Sequence, residues 1–228
     1  MVGFSRQSSL RSQKGFSLVE LLCVIAIMSL MASVTWPAIV GVMSGNRLTN
    51  NAYELSGLIQ QARTAAVSQH TYVWLGFYSY TSPEGAQSLA VVSLSDNSGL
   101  STDIQTDIQN DNYRLSAKPV ILNSVALATA QNYAALPGLD TTDNTDAGSQ
   151  SYSFQFSIPG HANATFSDVI VFGPDGQVWL PSSSGALPQY PVQCVGVGLN
   201  ATPISSAKLH TIAVQAHGLS GQVGVFQQ

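Results

Sequence analysis

The chain has 228 residues, 45% of them hydrophobic and only 9% charged, with eight Lys and Arg against twelve Asp and Glu for a net charge of −4. That length fits one domain with an appendage and excludes two large ones; the sparse charge excludes a disordered polyelectrolyte, and its acidic balance excludes a general nucleic-acid binder. Two cysteines, Cys23 and Cys194, are too few for a disulfide framework.

The first fifteen residues, MVGFSRQSSLRSQKG, contain Arg6, Arg11 and Lys14 and no acid. Beyond them five Lys and Arg remain against all twelve acids, a net −7. Residues 16–43 form an apolar run in which Glu20 is the only charge, and Leu21 to Met43 are 23 uncharged residues. As a helix they would reach roughly 35 Å, against a hydrocarbon core of about 30 Å. The run is longer than the core of a secretory signal and lacks a good small-residue cleavage site after it. Leu22, directly before Cys23, is too bulky for lipoprotein processing. The basic leader predicts a single crossing with the N-terminus in the cytoplasm and the C-terminal part outside it. A carboxylate costs on the order of 2.5–3.5 kcal/mol at mid-membrane and less near an end, so Glu20 calls for something to offset it. Pro37, inside the run, predicts a kink.

After the polar Ser44-Gly45-Asn46-Arg47, Leu48, Ala52, Leu55, Ile59, Ala62 and Ala66 recur at spacings of three and four, the stripe of an amphipathic helix ending near His70. Seven strands are then predicted: Thr71 to Tyr80, Gln87 to Ser95, Ser151 to Ile158, Asp168 to Phe172, Gln177 to Leu180, His210 to His217 and Gln222 to Phe226. They imply a mainly antiparallel head. Phe172-Gly173-Pro174-Asp175-Gly176-Gln177-Val178 reads as a tight hairpin, with Pro presetting φ, Asp bonding the local backbone and Gly accepting positive φ. Asp96 to Asn112, Pro137 to Gln150 and Pro181 to Pro191 read as loops.

The segment Lys14-Gly15-Phe16-Ser17-Leu18-Val19-Glu20 resembles the cleavage and methylation signal of type IV prepilins and type II secretion pseudopilins. The resemblance implies cutting by a prepilin peptidase after Gly15 and methylation of the new amine on Phe16. It also implies retention of the helix as anchor and fibre core, and Glu20 pairing with a neighbour's Phe16 ammonium in place of two separate buried charges. Pro37 resembles the point where a packed pilin helix bends. Leu58 to Val67 with the following strand, and the Phe172 to Val178 hairpin, are similar to the H-type, GspH/FimT-like minor pseudopilins.

The expected fold is therefore α+β and pilin-like: leader 1–15, transmembrane and fibre-core helix 16–43, amphipathic helix 44–70 and a β-rich head 71–228. The implied function is a minor pseudopilin or pilin subunit supporting protein secretion, with other pilins, an inner-membrane platform and its ATPase as partners. The alternative within the family is a FimT-like minor pilin for DNA uptake or adhesion. That role needs clustered cations, and after residue 63 only Arg114, Lys118 and Lys208 remain.

Catalytic signals are weak. No nucleophile elbow or phosphate loop occurs, and no enzyme activity or cofactor is expected. Asp140, Asp143 and Asp146 offer oxygen ligands of the kind calcium takes, but not at EF-hand spacing; a solvated acidic loop is the expectation. His70 and His161 are expected at surface or capping positions. His210 and His217, seven apart on one strand, point to opposite faces. Cys194 is expected to be a quiet, semi-buried thiol. A membrane-anchored enzyme would need a polar cleft that these residues do not announce.

Overall fold

The structure, a computed structural model, describes residues 17–83, 85–97, 103–140, 144–149, 152–185, 187, 192–202 and 210–227, with the side chains of 34 and 36–44 excepted. Gly15, Phe16 and Asp143 lie outside the described residues, as does the start of the strand expected from Ser151. The chain divides into two compact units, Met1–Met43 and Ser44–Gln228.

Helix α1 runs over Leu18–Gln69. In the first unit its apolar side chains point outward all round: Leu18, Val19, Leu21, Leu22, Ile25 and Met28 are all exposed. The hydroxyls in this stretch bond to its own backbone. Ser29 Oγ donates to the Ile25 carbonyl at 2.7 Å, Ser33 Oγ to Leu30 at 2.7 Å and Thr35 Oγ1 to Met31 at 3.1 Å. Such back-bonding satisfies these three hydroxyls within the helix, as an apolar surrounding requires.

In the second unit the periodicity predicted from sequence is realised. Leu48, Ala52, Leu55, Ile59, Ala62 and Ala66 are all buried. The helix stops because His70 adopts φ 51°, and Thr71 N–H reaches back to the Ala66 carbonyl at 3.1 Å, closing the last turn.

Two sheets receive the stripe. The first has β1 (Val73–Thr81), β2 (Gln87–Asp96), β3 (Tyr113–Asn123), β8 (Asp168–Phe172) and β9 (Val178–Trp179) in the order β3-β2-β1-β8-β9. The second has β4 (Val125–Ala128), β10 (Cys194–Ala201), β11 (Thr211–His217) and β12 (Val223–Gln227) in the order β12-β11-β10-β4, with β5 (Asn144–Asp146) also on β10. One hydrophobic core unites the stripe with Val73, Leu75, Phe77, Ile170 and Phe172 from the first sheet and with Val197, Leu199, Ile212 and Val214 from the second. Burying one such side chain contributes roughly 1.5–3 kcal/mol, so the shared core is what binds the second unit together.

A second core covers the opposite face of the first sheet. There Trp74, Val92 and Leu94 meet Phe154, Phe156 and Phe166 of the hairpin formed by β6 (Phe154–Ile158) and β7 (His161–Phe166). With both faces buried, β2 reads as a nearly continuous apolar run rather than an alternation. Gly76 lets the hairpin approach: a Cβ there would lie 2.5 Å from Phe154 Cζ.

The structure corrects several sequence expectations. Strand β3 had no counterpart because Lys118 and Pro119 interrupt its apolar pattern; the pairing steps from Val91↔Val120 to Ser93↔Ala117, so those two residues bulge opposite Val92 on an edge strand, where a proline is tolerated. Strand β10, Cys-Val-Gly-Val-Gly-Leu-Asn-Ala, had none either, because Gly196 and Gly198 remove every second side chain. Both glycines face the Tyr133 ring. The stretch from Asp96 to Asn112 is not all loop: it contains α2 (Ile104–Gln109), whose N-cap Asp103 accepts from Gln105 N–H at 3.2 Å. The 137–150 stretch contains β5, which pairs with β10 in parallel, an exception to the antiparallel pattern. The Phe172 to Val178 hairpin forms as predicted, with Gly173 N–H donating to Gln177 O at 3.0 Å and Gly176 at φ 80°.

Candidate functional site

The assembly residues inferred from sequence gather at one end of the chain, and the structure describes some of them. Glu20 is the third residue of α1, exposed, within the first helical turn, where a carboxylate is favoured by the unsatisfied backbone N–H groups. It is the sole charge among the exposed apolar side chains described above. Helix α1 continues through Pro37. Among the described residues, no helix is long and apolar enough to cross a membrane; the apolar run is described side chain by side chain only over 18–33 and at Thr35.

The head brings together groups that sequence reading had kept apart. Asp168 sits beside Asp146. Burial first, and then the Asp146 charge, push the Asp168 carboxyl above its ordinary range. Tyr133 is pushed upward for the same two leading reasons, burial and then Asp146, and its hydroxyl donates to the Gly196 carbonyl at 3.3 Å. Asp146 and Asp168 border a cavity of about 430 Å³ with Gly148 and Gly198. Asp140, meanwhile, is held through its backbone: Gln215 Nε2 donates to the Asp140 carbonyl at 2.9 Å and to Asn144 Oδ1 at 3.1 Å. Among the described residues no group of three or more His, Cys, Asp or Glu is placed to hold a metal. Asp146, half-buried at the end of β5, acts electrostatically on Asp168 and Tyr133, while Asp140 is exposed.

A second polar cluster fastens α2. Tyr152 Oη donates to Asp103 Oδ1 at 2.9 Å and accepts from Gln105 N–H at 3.4 Å. Burial, followed by the Asp103 hydrogen bond, raises the Tyr152 pKa. This cluster is structural, since each contact ties the short helix to the chain leading into β6.

The histidines separate. His70 forms the helix stop, and His161 packs its ring 4.2 Å from that of Tyr80. His210 precedes β11 and lines a small cavity with Gly45 and Leu48. His217 ends β11 directly opposite Cys194 of β10, with Nδ1 3.3 Å from Sγ. Sequence reading missed this pair because the partners are 23 residues apart and meet only through strand register. The one available hint was that both stand at predicted or potential strand ends.

Residues 10–36 match the family model of the prokaryotic N-terminal methylation motif. No curated protein matches the chain, and no solved structure does. The motif supports a type IV pilin-like protein and implies processing by a prepilin peptidase and assembly with other pilins. The helix followed by antiparallel sheets agrees with an α+β pilin-like architecture.

Proposed function

We propose that the protein is a minor pseudopilin of the GspH/FimT-like type, held in the inner membrane by a single helix with its head outside the cytoplasm, and drawn from there into a secretion pseudopilus. The observation that carries this reading is the combination at the start of α1: apolar side chains exposed all round, hydroxyls bonded to their own backbone, and one carboxylate at Glu20, all within or beside the methylation motif. A helix apolar on all sides is stable only when something apolar surrounds it. Lipid serves before assembly, and neighbouring copies of such helices serve after it.

Glu20 then has a mechanical task. In the bilayer it lies near the helix start, where its cost is lowest. In the fibre it meets the methylated ammonium of Phe16 on the adjacent subunit, so that register is set by a charge pair in a low-dielectric surrounding. The head does no chemistry in this scheme; it offers surface to other minor subunits or cargo. Force comes from the platform and its ATPase, because the chain has no phosphate-binding loop.

Glu20→Ala tests the scheme. Cleavage and methylation should proceed as in the wild type, while the fraction recovered in sheared or cross-linked fibres should fall at least tenfold. Wild-type incorporation of Glu20→Ala would overturn the pairing.

A further inference from the structure

We infer that β12 pairs antiparallel with β12 of a second copy of this chain, about a two-fold axis, so that two heads share one continuous sheet. A sheet edge offers unpaired N–H and C=O groups, and proteins guard such edges with charge, proline, bulges or brevity. The first sheet ends in β3, which carries Arg114, Lys118, Pro119 and the bulge, and in β9, two residues long. On the second sheet β4 and β5, four and three residues long, share the far side of β10. Strand β12, at the opposite edge, has no such guard. Its five residues, Val-Gly-Val-Phe-Gln, follow β11 in unbroken register, and no charge stands between Leu219 and Gln227. Among the described residues no strand lies on its outer side.

The free backbone groups follow from the ladder. His217 N–H donates to Gln222 O at 2.9 Å, which makes these two a hydrogen-bonded pair at the start of the hairpin. Such pairs alternate along antiparallel strands. Gly224 and Phe226 therefore bond to β11, while Val223, Val225 and Gln227 turn their N–H and C=O outward. The antiparallel register that sets Val225 opposite Val225 of the second copy satisfies all three, since Val223 then meets Gln227 of the second copy. It also sets Gly224 opposite Phe226 of the second copy. Phe226 already lies over Gly224 of its own strand, where an added Cβ would be 3.0 Å from Phe226 Cε2. The two phenyl rings thus meet side by side, each over a glycine. The neighbouring registers put glycine against glycine or ring against ring and leave outward groups unpaired.

Apolar burial acts in the same direction. Val223 and Val225 are only partly buried against the main core, and Phe226 against Tyr133 and Leu136, so an added strand completes the cover of all three. The occupant is a like strand because this edge has no charge by which to select a different one and none with which to repel itself. The pairing is independent of Glu20.

The test follows amide hydrogen exchange of the full chain in detergent, read by mass spectrometry with residue-level fragmentation. A strand pair of this length buries less than the roughly 1,200 Å² of a stable complex, so the dimer is weak and the protein is taken from about 500 µM to about 5 µM. Val223, Val225 and Gln227 should exchange at least tenfold more slowly at the high concentration than at the low one. Gly224 and Phe226, held by β11, should change less than twofold. Val225→Pro removes an N–H that β11 does not use, so it should leave the head folded and abolish the concentration dependence at Val223 and Gln227. If Val225→Pro does not fold, Gln227→Pro at the exposed end of the strand takes its place. Exchange at Val223, Val225 and Gln227 that is the same at both concentrations would overturn the pairing. So would a concentration dependence that survives the proline variant, which would mean association through another surface, or protection that arises only when a different pilin subunit is added.

Discussion

The two parts of α1 differ in one respect that explains most of the molecule. From Leu18 to Met31 apolar residues lie on every side and stay exposed; from Leu48 to Ala66 they keep to a single stripe, and that stripe is buried. The second part finds its apolar partner within its own chain, in the core shared with both sheets. The first stays exposed, and in the proposed scheme a bilayer or other subunits would supply its apolar surrounding. Sequence reading detects this contrast because helical periodicity distinguishes a stripe from a cylinder.

Substitutions can probe the contrast directly. Leu55→Ala, in the buried stripe, should cost about 2–5 kcal/mol of unfolding free energy, read from denaturant midpoints of the full chain in detergent. A loss under 1 kcal/mol would mean that the stripe is not packed as described. Gly76→Ala tests the other face of the first sheet. The added methyl meets the Phe154 ring, so about 1–3 kcal/mol should be lost, and Phe154→Leu in the same chain should recover part of it.

A smaller and pH-dependent effect is expected at Asp168, whose carboxyl holds its proton to higher pH in the folded chain than in the unfolded one. Its contribution to stability is fully present below the unfolded carboxylate pKa, declines as pH rises through the raised folded value, and stays lost above it. Asp168→Asn should therefore gain in thermal midpoint relative to wild type on going from pH 4 to pH 7. An unchanged difference between the two proteins would deny the burial and the Asp146 repulsion. At the bottom of the scale, Leu22→Ala in the exposed part should alter head unfolding by less than about 0.5 kcal/mol, which separates the two parts of α1 in a single experiment.

Legibility from sequence followed the same physics. The stripe and the Phe172 to Val178 turn were readable because local spacing and turn chemistry dictate them. Two of the missed strands failed for local reasons too: Lys118 and Pro119 disguise an edge strand at its bulge, and Gly196 and Gly198 erase the alternation of β10 to admit Tyr133. What no local rule could supply was register. Cys194 opposite His217 is a consequence of how β10 and β11 pair, and Asp146 beside Asp168 of how strands from the two different sheets come together, neither of which a linear reading contains.

The central claim is that the apolar helix stays in the finished protein, behind a leader removed at Gly15. Intact mass and N-terminal sequencing of the protein recovered from the membrane fraction measure this most directly. The account predicts a chain beginning with N-methylated Phe16, and an uncleaved precursor when Gly15→Val is introduced. A product starting near Gly45 and recovered in the soluble fraction would contradict it.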